Sequence, residues 1–306
     1  MTDYALLLMV GCNHHRVASY GDHPNHGRRK RVVIMMTVDK DLCIGCGKCV
    51  KDCFPADILM EDGHARIRNI TCFECGHCIA VCPTNAITTD HYKMDEVVEY
   101  SKEAFHVEAD NLLNFIKFRR TIRQFKDQEV EVDKLKKIIE AGRFTQTGSN
   151  MQDVGYVVVK DKMSELKELT FNSLHRIAVH MLANLTPETM IYKRYAEMWV
   201  AMYKAYEENP QNDKLFFNAP ALIIVTANSE LNGGLASSNM ELMTNALGLG
   251  TFFSGFFTRA AQDNEAIASL LGLDHGKKIV SCMVIGYPDV TYQRTAPRKD
   301  AEITWL

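Results

Sequence analysis

Cys43-Ile44-Gly45-Cys46-Gly47-Lys48-Cys49-Val50-Lys51-Asp52-Cys53 is answered further along the chain by Cys72-Phe73-Glu74-Cys75-Gly76-His77-Cys78-Ile79-Ala80-Val81-Cys82. From 43 to 72, 46 to 75, 49 to 78 and 53 to 82 the offset is a constant 29, so the segment is an internal duplication. A proline follows each fourth cysteine, Pro83 directly and Pro55 after Phe54. Cysteine at every third position of a tight loop points three thiolates at one centre, the spacing of a [4Fe–4S] cluster. Gly45, Gly47 and Gly76 let backbone N–H groups approach the cluster sulfurs. Two other uses of the cysteines fit less well. Zinc usually takes its ligands as two well-separated pairs, and a disulfide framework belongs to a secreted chain.

Over about residues 36–90 the pattern resembles the dicluster, bacterial-type ferredoxin family. The resemblance implies that each run lends its fourth cysteine to the other run's cluster. One cluster then takes Cys43, Cys46, Cys49 and Cys82, and the other takes Cys72, Cys75, Cys78 and Cys53. Such a segment moves single electrons. Ile58-Leu59-Met60 and Ala65-Arg66-Ile67 flank Asp62-Gly63 and read as a hairpin. Ala86-Ile87-Thr88 is the matching short strand after the second run.

Beyond the cysteines, Asp95 to about Phe118 reads as one helix, acidic and then apolar, forming a connector. Asp133 is the expected N-cap of a helix whose apolar stripe is Leu135, Ile138 and Ile139 and whose end lies near Gly142. Tyr156–Val159, Leu222–Val225 and Ile279–Ile285 read as buried strands, with Cys282 in the core. The stretch 164–217 is mostly helical, broken at Pro187 and Pro210. Its stripe of Met and aromatic residues, including Tyr195, Met198, Trp199 and Met202, suits a core or a dimer interface. Ala236, Met240, Met243 and Leu247 mark a further helix ending at Gly248 and Gly250. His175 and His180, five apart, read as structural or exposed, not as a metal pair.

Composition removes several functions. A net charge of −3 leaves no basic footprint for nucleic acid or an anionic membrane. No apolar run approaches the roughly 18–20 residues of a membrane span. Cluster thiolates must stay reduced, which predicts a cytoplasmic protein. Residues 1–35 read as a poorly ordered extension, with translation starting at Met35 or Met36 as an alternative. Gly248-Leu249-Gly250 follows a helix and lacks a third spaced glycine, so it is not a dinucleotide loop.

Clusters exchange one electron and most metabolites change by two, so a flavin is the expected bridge. Arg119-Arg120-Thr121-Ile122-Arg123 places three guanidiniums and a hydroxyl within five residues, which suits a phosphate and a ribityl chain. With Gly148-Ser149-Asn150-Met151-Gln152, then Ser254-Gly255, then Gly286-Tyr287-Pro288 and Arg298-Lys299, the region 112–306 resembles the nitroreductase family of FMN enzymes. The resemblance implies phosphate and ribityl contacts from Arg119, Arg120, Thr121 and Arg123. It puts Ser149, Asn150 and the nearby Gln152 against the flavin ring, Ser254 and Gly255 on a loop offering backbone groups, and Arg298 and Lys299 at the phosphate. One departure is Gln152-Asp153-Val154 where many relatives have Gln-Pro-Trp; an acidic residue there alters ring-edge polarity or the path of the loop.

The expected architecture is therefore α+β. An extension (1–35) leads to a ferredoxin-like domain with two [4Fe–4S] clusters (36–92), a helical connector (93–111) and a nitroreductase-like FMN domain (112–306) with a mainly antiparallel sheet. The resemblance implies an intertwined homodimer with FMN at its interface. Electrons from a low-potential donor, a ferredoxin or alternatively NAD(P)H, would reach FMN. Its N5 would then pass hydride to a small aromatic or electron-poor substrate such as a nitroaromatic, quinone or activated alkene. No side chain stands out as proton donor. The alternative is a relay subunit serving a protein partner, with no small-molecule chemistry of its own.

Overall fold

The computed structural model describes residues 36–273 and 277–306; the extension over 1–35 lies outside the described residues. The chain divides into two units. The first comprises the described residues up to Ile70 together with His77–Glu96, and the second comprises Thr71–Gly76 and Val97–Leu306.

In the first unit, β1 (Met36–Val38) pairs antiparallel with β4 (Ile87–Thr89), Met36 facing Thr89. Two short helices, α1 (Lys48–Asp52) and α2 (His77–Val81), each start within a cysteine run. Between them, β2 (Ile58–Glu61) and β3 (His64–Ile67) form the expected hairpin, with Asp62 at φ 50° and Gly63 at φ 76° in the turn. Gly45 is required by its surroundings. Its φ is +66°, and a Cβ there would collide with the Gly63 carbonyl. The first cysteine loop can therefore lie on the hairpin only without a side chain at that position. The buried apolar cluster is small, Cys49, Ile58, Ala65 and Ile87, with Met36 and Ala86 also buried.

The second unit is built on four antiparallel strands in the order β5 (Gly155–Val159), β6 (Ala221–Ala227), β8 (Lys278–Gly286) and β7 (Gly250–Phe253). All seven residues of β6 are buried, because helices cover both faces of the sheet. Alternation along β6 and β8 divides the core in two. Leu222, Ile224, Cys282 and Val284 face α6 (Met163–Ala183), α7 (Lys193–Glu208), α9 (Gly255–Ala261) and α10 (Glu265–Leu270). Ile223, Val225, Met283 and Ile285 face α5 (Val132–Arg143) and α8 (Glu230–Ala246). The mainly antiparallel α+β sandwich is thus present. A Cβ on Gly142 would come within 2.7 Å of Tyr156 Oη and 2.8 Å of Met240 Sδ, so α5 needs glycine there to pack this closely.

Two expectations shift. The connector is not one helix. A 3-10 turn at Met94–Glu96 is followed by α3 (Lys102–Phe105) and α4 (Ala109–Phe118). Ser101 starts α3 by accepting from Ala104 N, and extended backbone at His106 and Glu108 separates the helices. The N-cap of α5 is Glu131, with Asp133 in the first turn, where its charge still suits the helix dipole. His175 stacks flat on Tyr203 with ring centroids 4.1 Å apart, a packing role in keeping with its spacing from His180.

Candidate cluster and flavin sites

One hollow in the first unit is lined by Cys43, Cys46, Cys49 and Cys82, with Thr84 at its edge. These are the four cysteines assigned to one cluster, gathered from both runs. Among the described residues no three His, Cys, Asp or Glu side chains converge on a point as a single ion needs. Four thiols around one hollow suit a four-iron cluster, which is held by four cysteines. Backbone N–H groups already point at the sulfurs. Ala65 N donates to Cys43 Sγ at 3.4 Å, Asp57 N to Cys53 Sγ at 3.3 Å, Ala86 N to Cys82 Sγ at 3.3 Å and Glu74 N to Cys72 Sγ at 3.4 Å. Burial pushes the Cys49 thiol up. At Cys82 burial acts the same way, but hydrogen bonds from Thr84, Ala86 and Asn85 outweigh it and the thiol titrates below its ordinary range.

In the second unit, Ile122 N donates to Thr251 O at 3.1 Å, and Thr121 bridges Thr251, so the arginine run lies along β7. Arg119 Nη1 is held by Glu241 Oε1 at 2.6 Å. Its Nε, together with Arg120 Nη2 and Thr251 Oγ1, is buried with no hydrogen-bond partner among the described residues. Unpaired buried donors are costly, and two guanidiniums with a hydroxyl call for a multidentate acceptor. A phosphate ester answers that need, so these residues fit the FMN phosphate. Arg123 is exposed, its guanidinium 5.6 Å from the centroid of the Phe252 ring.

The segment expected to meet the flavin ring has an unusual backbone. Ser149, Asn150 and Gln152 all have positive φ, at 49°, 54° and 46°. Gln152 N donates to Thr147 Oγ1 at 2.9 Å, and Gly148 N donates to Asn232 Oδ1 at 3.3 Å. Asn150 Nδ2 donates to Phe73 O at 3.0 Å and Glu74 O at 2.9 Å, in the Thr71–Gly76 loop that groups with this unit. Asp153 acts on the loop's path. Its buried carboxylate accepts from Asn228 N at 2.9 Å, Ser229 N at 3.1 Å and Asn232 Nδ2 at 2.7 Å, which fixes the turn leading into α8, whose N-cap is Ser229, and holds the Asn232 side chain that accepts from Gly148 N. Burial pushes the Asp153 carboxyl up, but these hydrogen bonds outweigh it and hold the group below the usual carboxylate range.

Ser254 is the N-cap of α9. Its side chain accepts from Phe257 N, and its own N–H donates to Cys282 O at 2.9 Å. Gly255 begins that helix. Arg298 and Lys299 lie in an exposed tail without regular structure, where Arg298 Nη1 donates to Pro297 O. The structure thus sets Thr121 and Ile122 beside Thr251, pairs Arg119 with Glu241, and leaves Arg298 and Lys299 exposed.

Residues 116–287 match the model of the nitroreductase family, over half of the chain. The chain belongs to the nitroreductase family. Residues 42–87 match a 4Fe–4S dicluster domain. Together the two matches mark a nitroreductase-family chain that carries a 4Fe–4S dicluster domain. A ferredoxin of Pyrobaculum islandicum is 41% identical over 54 residues, 17% of this chain and 50% of that protein. One component of an ion-translocating oxidoreductase complex of Methanosarcina acetivorans is 44% identical over 45 residues, 15% of this chain and 17% of that protein. This chain therefore spans half or less of these relatives. A nitroreductase of Bacteroides fragilis with bound FMN shares the fold at 20% identity, with a TM-score of 0.50 over 64% of this chain and 98% of that one.

Sequence reading missed Glu241, Thr251 and Asn232. Each is polar and yet buried. That mismatch was the available signal, but it does not name the partner. Among the described residues no helix is long and apolar enough to cross a membrane.

Proposed function

We propose that this nitroreductase-family chain draws single electrons from an external low-potential donor, such as a soluble ferredoxin. It delivers them in pairs to a small electron-poor substrate: a nitroaromatic, a quinone or an activated alkene. Bound FMN supplies the conversion between one-electron and two-electron chemistry. The strongest support comes from Asn150. Its side chain holds the backbone of Phe73 and Glu74, between Cys72 and Cys75, and its own backbone lies in the segment assigned to the flavin ring. Hydrogen bonds inside one unit therefore join a cluster-bearing loop to the flavin segment.

Arg119, Arg120 and Thr121 would hold the FMN phosphate and ribityl chain, with Arg123, Arg298 and Lys299 adding charge. Ser149, Asn150, Gln152, Ser254 and Gly255 would frame the ring. Backbone donors and fixed positive charge favour the reduced, anionic flavin. The duplication assigns Cys53, Cys72, Cys75 and Cys78 to the second cluster. A homodimer is supported by exposed apolar side chains on α4 and the tail: Leu112, Leu113, Ile116, Phe118, Ile303 and Trp305.

Anaerobic steady-state turnover of the reduced holoprotein tests the reading. Saturable, FMN-dependent consumption of a nitroaromatic or quinone is expected. Reduction of protein acceptors without saturable small-molecule turnover would leave the relay reading in its place.

A further inference from the structure

The two cysteine runs match in position but not in what surrounds their fourth cysteines. Asp57 N donates to Cys53 Sγ at 3.3 Å, and Ala86 N donates to Cys82 Sγ at 3.3 Å. Each donor lies four residues after its cysteine, so the backbone arrangement is duplicated. Two residues after Cys82 stands Thr84, whose Oγ1 lies 3.7 Å from Cys82 Sγ, within reach of a sulfur hydrogen bond. Two residues after Cys53 stands Pro55, whose ring carries no donor. A hydroxyl contact is thus added to one copy of a duplicated site.

We propose that Thr84 tunes the cluster held by Cys43, Cys46, Cys49 and Cys82, raising its reduction potential by donating its hydroxyl proton to Cys82 Sγ. The direction of donation follows from chemistry. A cysteine bound to iron is a thiolate without a proton, so the sulfur can only accept. Reduction adds one electron to the cluster; no bond is made or broken and no proton moves. The added negative charge is shared with the thiolate sulfurs, so a donor to one of them stabilises the reduced state more than the oxidised one. Thr84 is a positioning and tuning residue; it ligates nothing itself.

The proposal rests on the two-cluster reading and is independent of what the flavin reduces. The test is an anaerobic redox titration of the holoprotein, monitored by EPR, for native protein, Thr84→Val and Thr84→Ser. Valine keeps the shape and removes the hydroxyl; serine restores it. One midpoint should move to more negative potential in Thr84→Val while the other stays put, and Thr84→Ser should stay close to native. Pulsed ENDOR of native protein in H2O and after exchange into D2O should show, at one reduced cluster, a hydroxyl coupling in addition to those of the backbone N–H donors, and Thr84→Val should lose that coupling alone. Unmoved midpoints in Thr84→Val, equal shifts of both clusters, or a serine variant shifted as far as valine would overturn the assignment. A single-cluster shift with no small-molecule turnover would leave the tuning role standing and remove the substrate reading alone.

Discussion

Around Cys49 the N-terminal unit packs one small buried cluster, Cys49, Ile58, Ala65 and Ile87, whereas the C-terminal unit closes two apolar layers on the faces of β6 and β8. The strands of the first are three or four residues long. Those at the centre of the second run for seven and nine. Four of the first unit's cysteines line a hollow that apolar packing does not fill, so iron–sulfur bonds are expected to supply much of its stability. The second is held by burial of apolar surface. Two kinds of cohesion in one chain should fail under different conditions.

The largest expected effect follows from removing the clusters. Stripping iron anaerobically with a chelator should unfold the first unit and spare the second. Hydrogen exchange should then lose protection at β1–β4 and retain it at β5–β8. Next is Ile224→Ala, at a fully buried position of β6. It should cost about 2–5 kcal/mol of the second unit's stability, read as a lowered urea midpoint with cluster absorbance unaffected at that denaturant concentration. Arg120→Ala should weaken FMN binding by about 1.5–3 kcal/mol in a fluorescence titration, and the exposed Arg123→Ala by less.

Among the stability effects the smaller is Asp153→Asn, expected to cost about 1–3 kcal/mol at neutral pH. The folded-state pKa of Asp153 is depressed. Its contribution is therefore fully present above the ordinary carboxylate range and is lost as pH falls through the folded value. Urea midpoints of native and variant protein should differ at pH 7 and converge in acid.

The same contrast explains what the sequence disclosed. Metal ligation leaves a spacing that can be read residue by residue, and so does the Asp62-Gly63 turn. Central strands such as β6 and β8 announce themselves as apolar β-branched runs. The long-range polar contacts do not. Arg119 and Glu241 are 122 residues apart, and Asp153 and Asn232 are 79 apart. The strand β7, only four residues beginning at a glycine, gave no periodicity to detect. The connector looked continuous because its composition suits a helix, while the cap at Ser101 and the extended backbone at His106 and Glu108 depend on local geometry. The hydroxyl of Thr84 was equally silent until its distance to Cys82 could be measured.

The joining of two [4Fe–4S] clusters to a flavin within one chain can be checked in a single experiment. An anaerobic dithionite titration of the reconstituted protein would be followed by visible absorbance and low-temperature EPR together. EPR signals from two reduced clusters are expected alongside bleaching of one bound flavin per chain. Two clusters with no flavin bound, even after FMN is added, would contradict that connection.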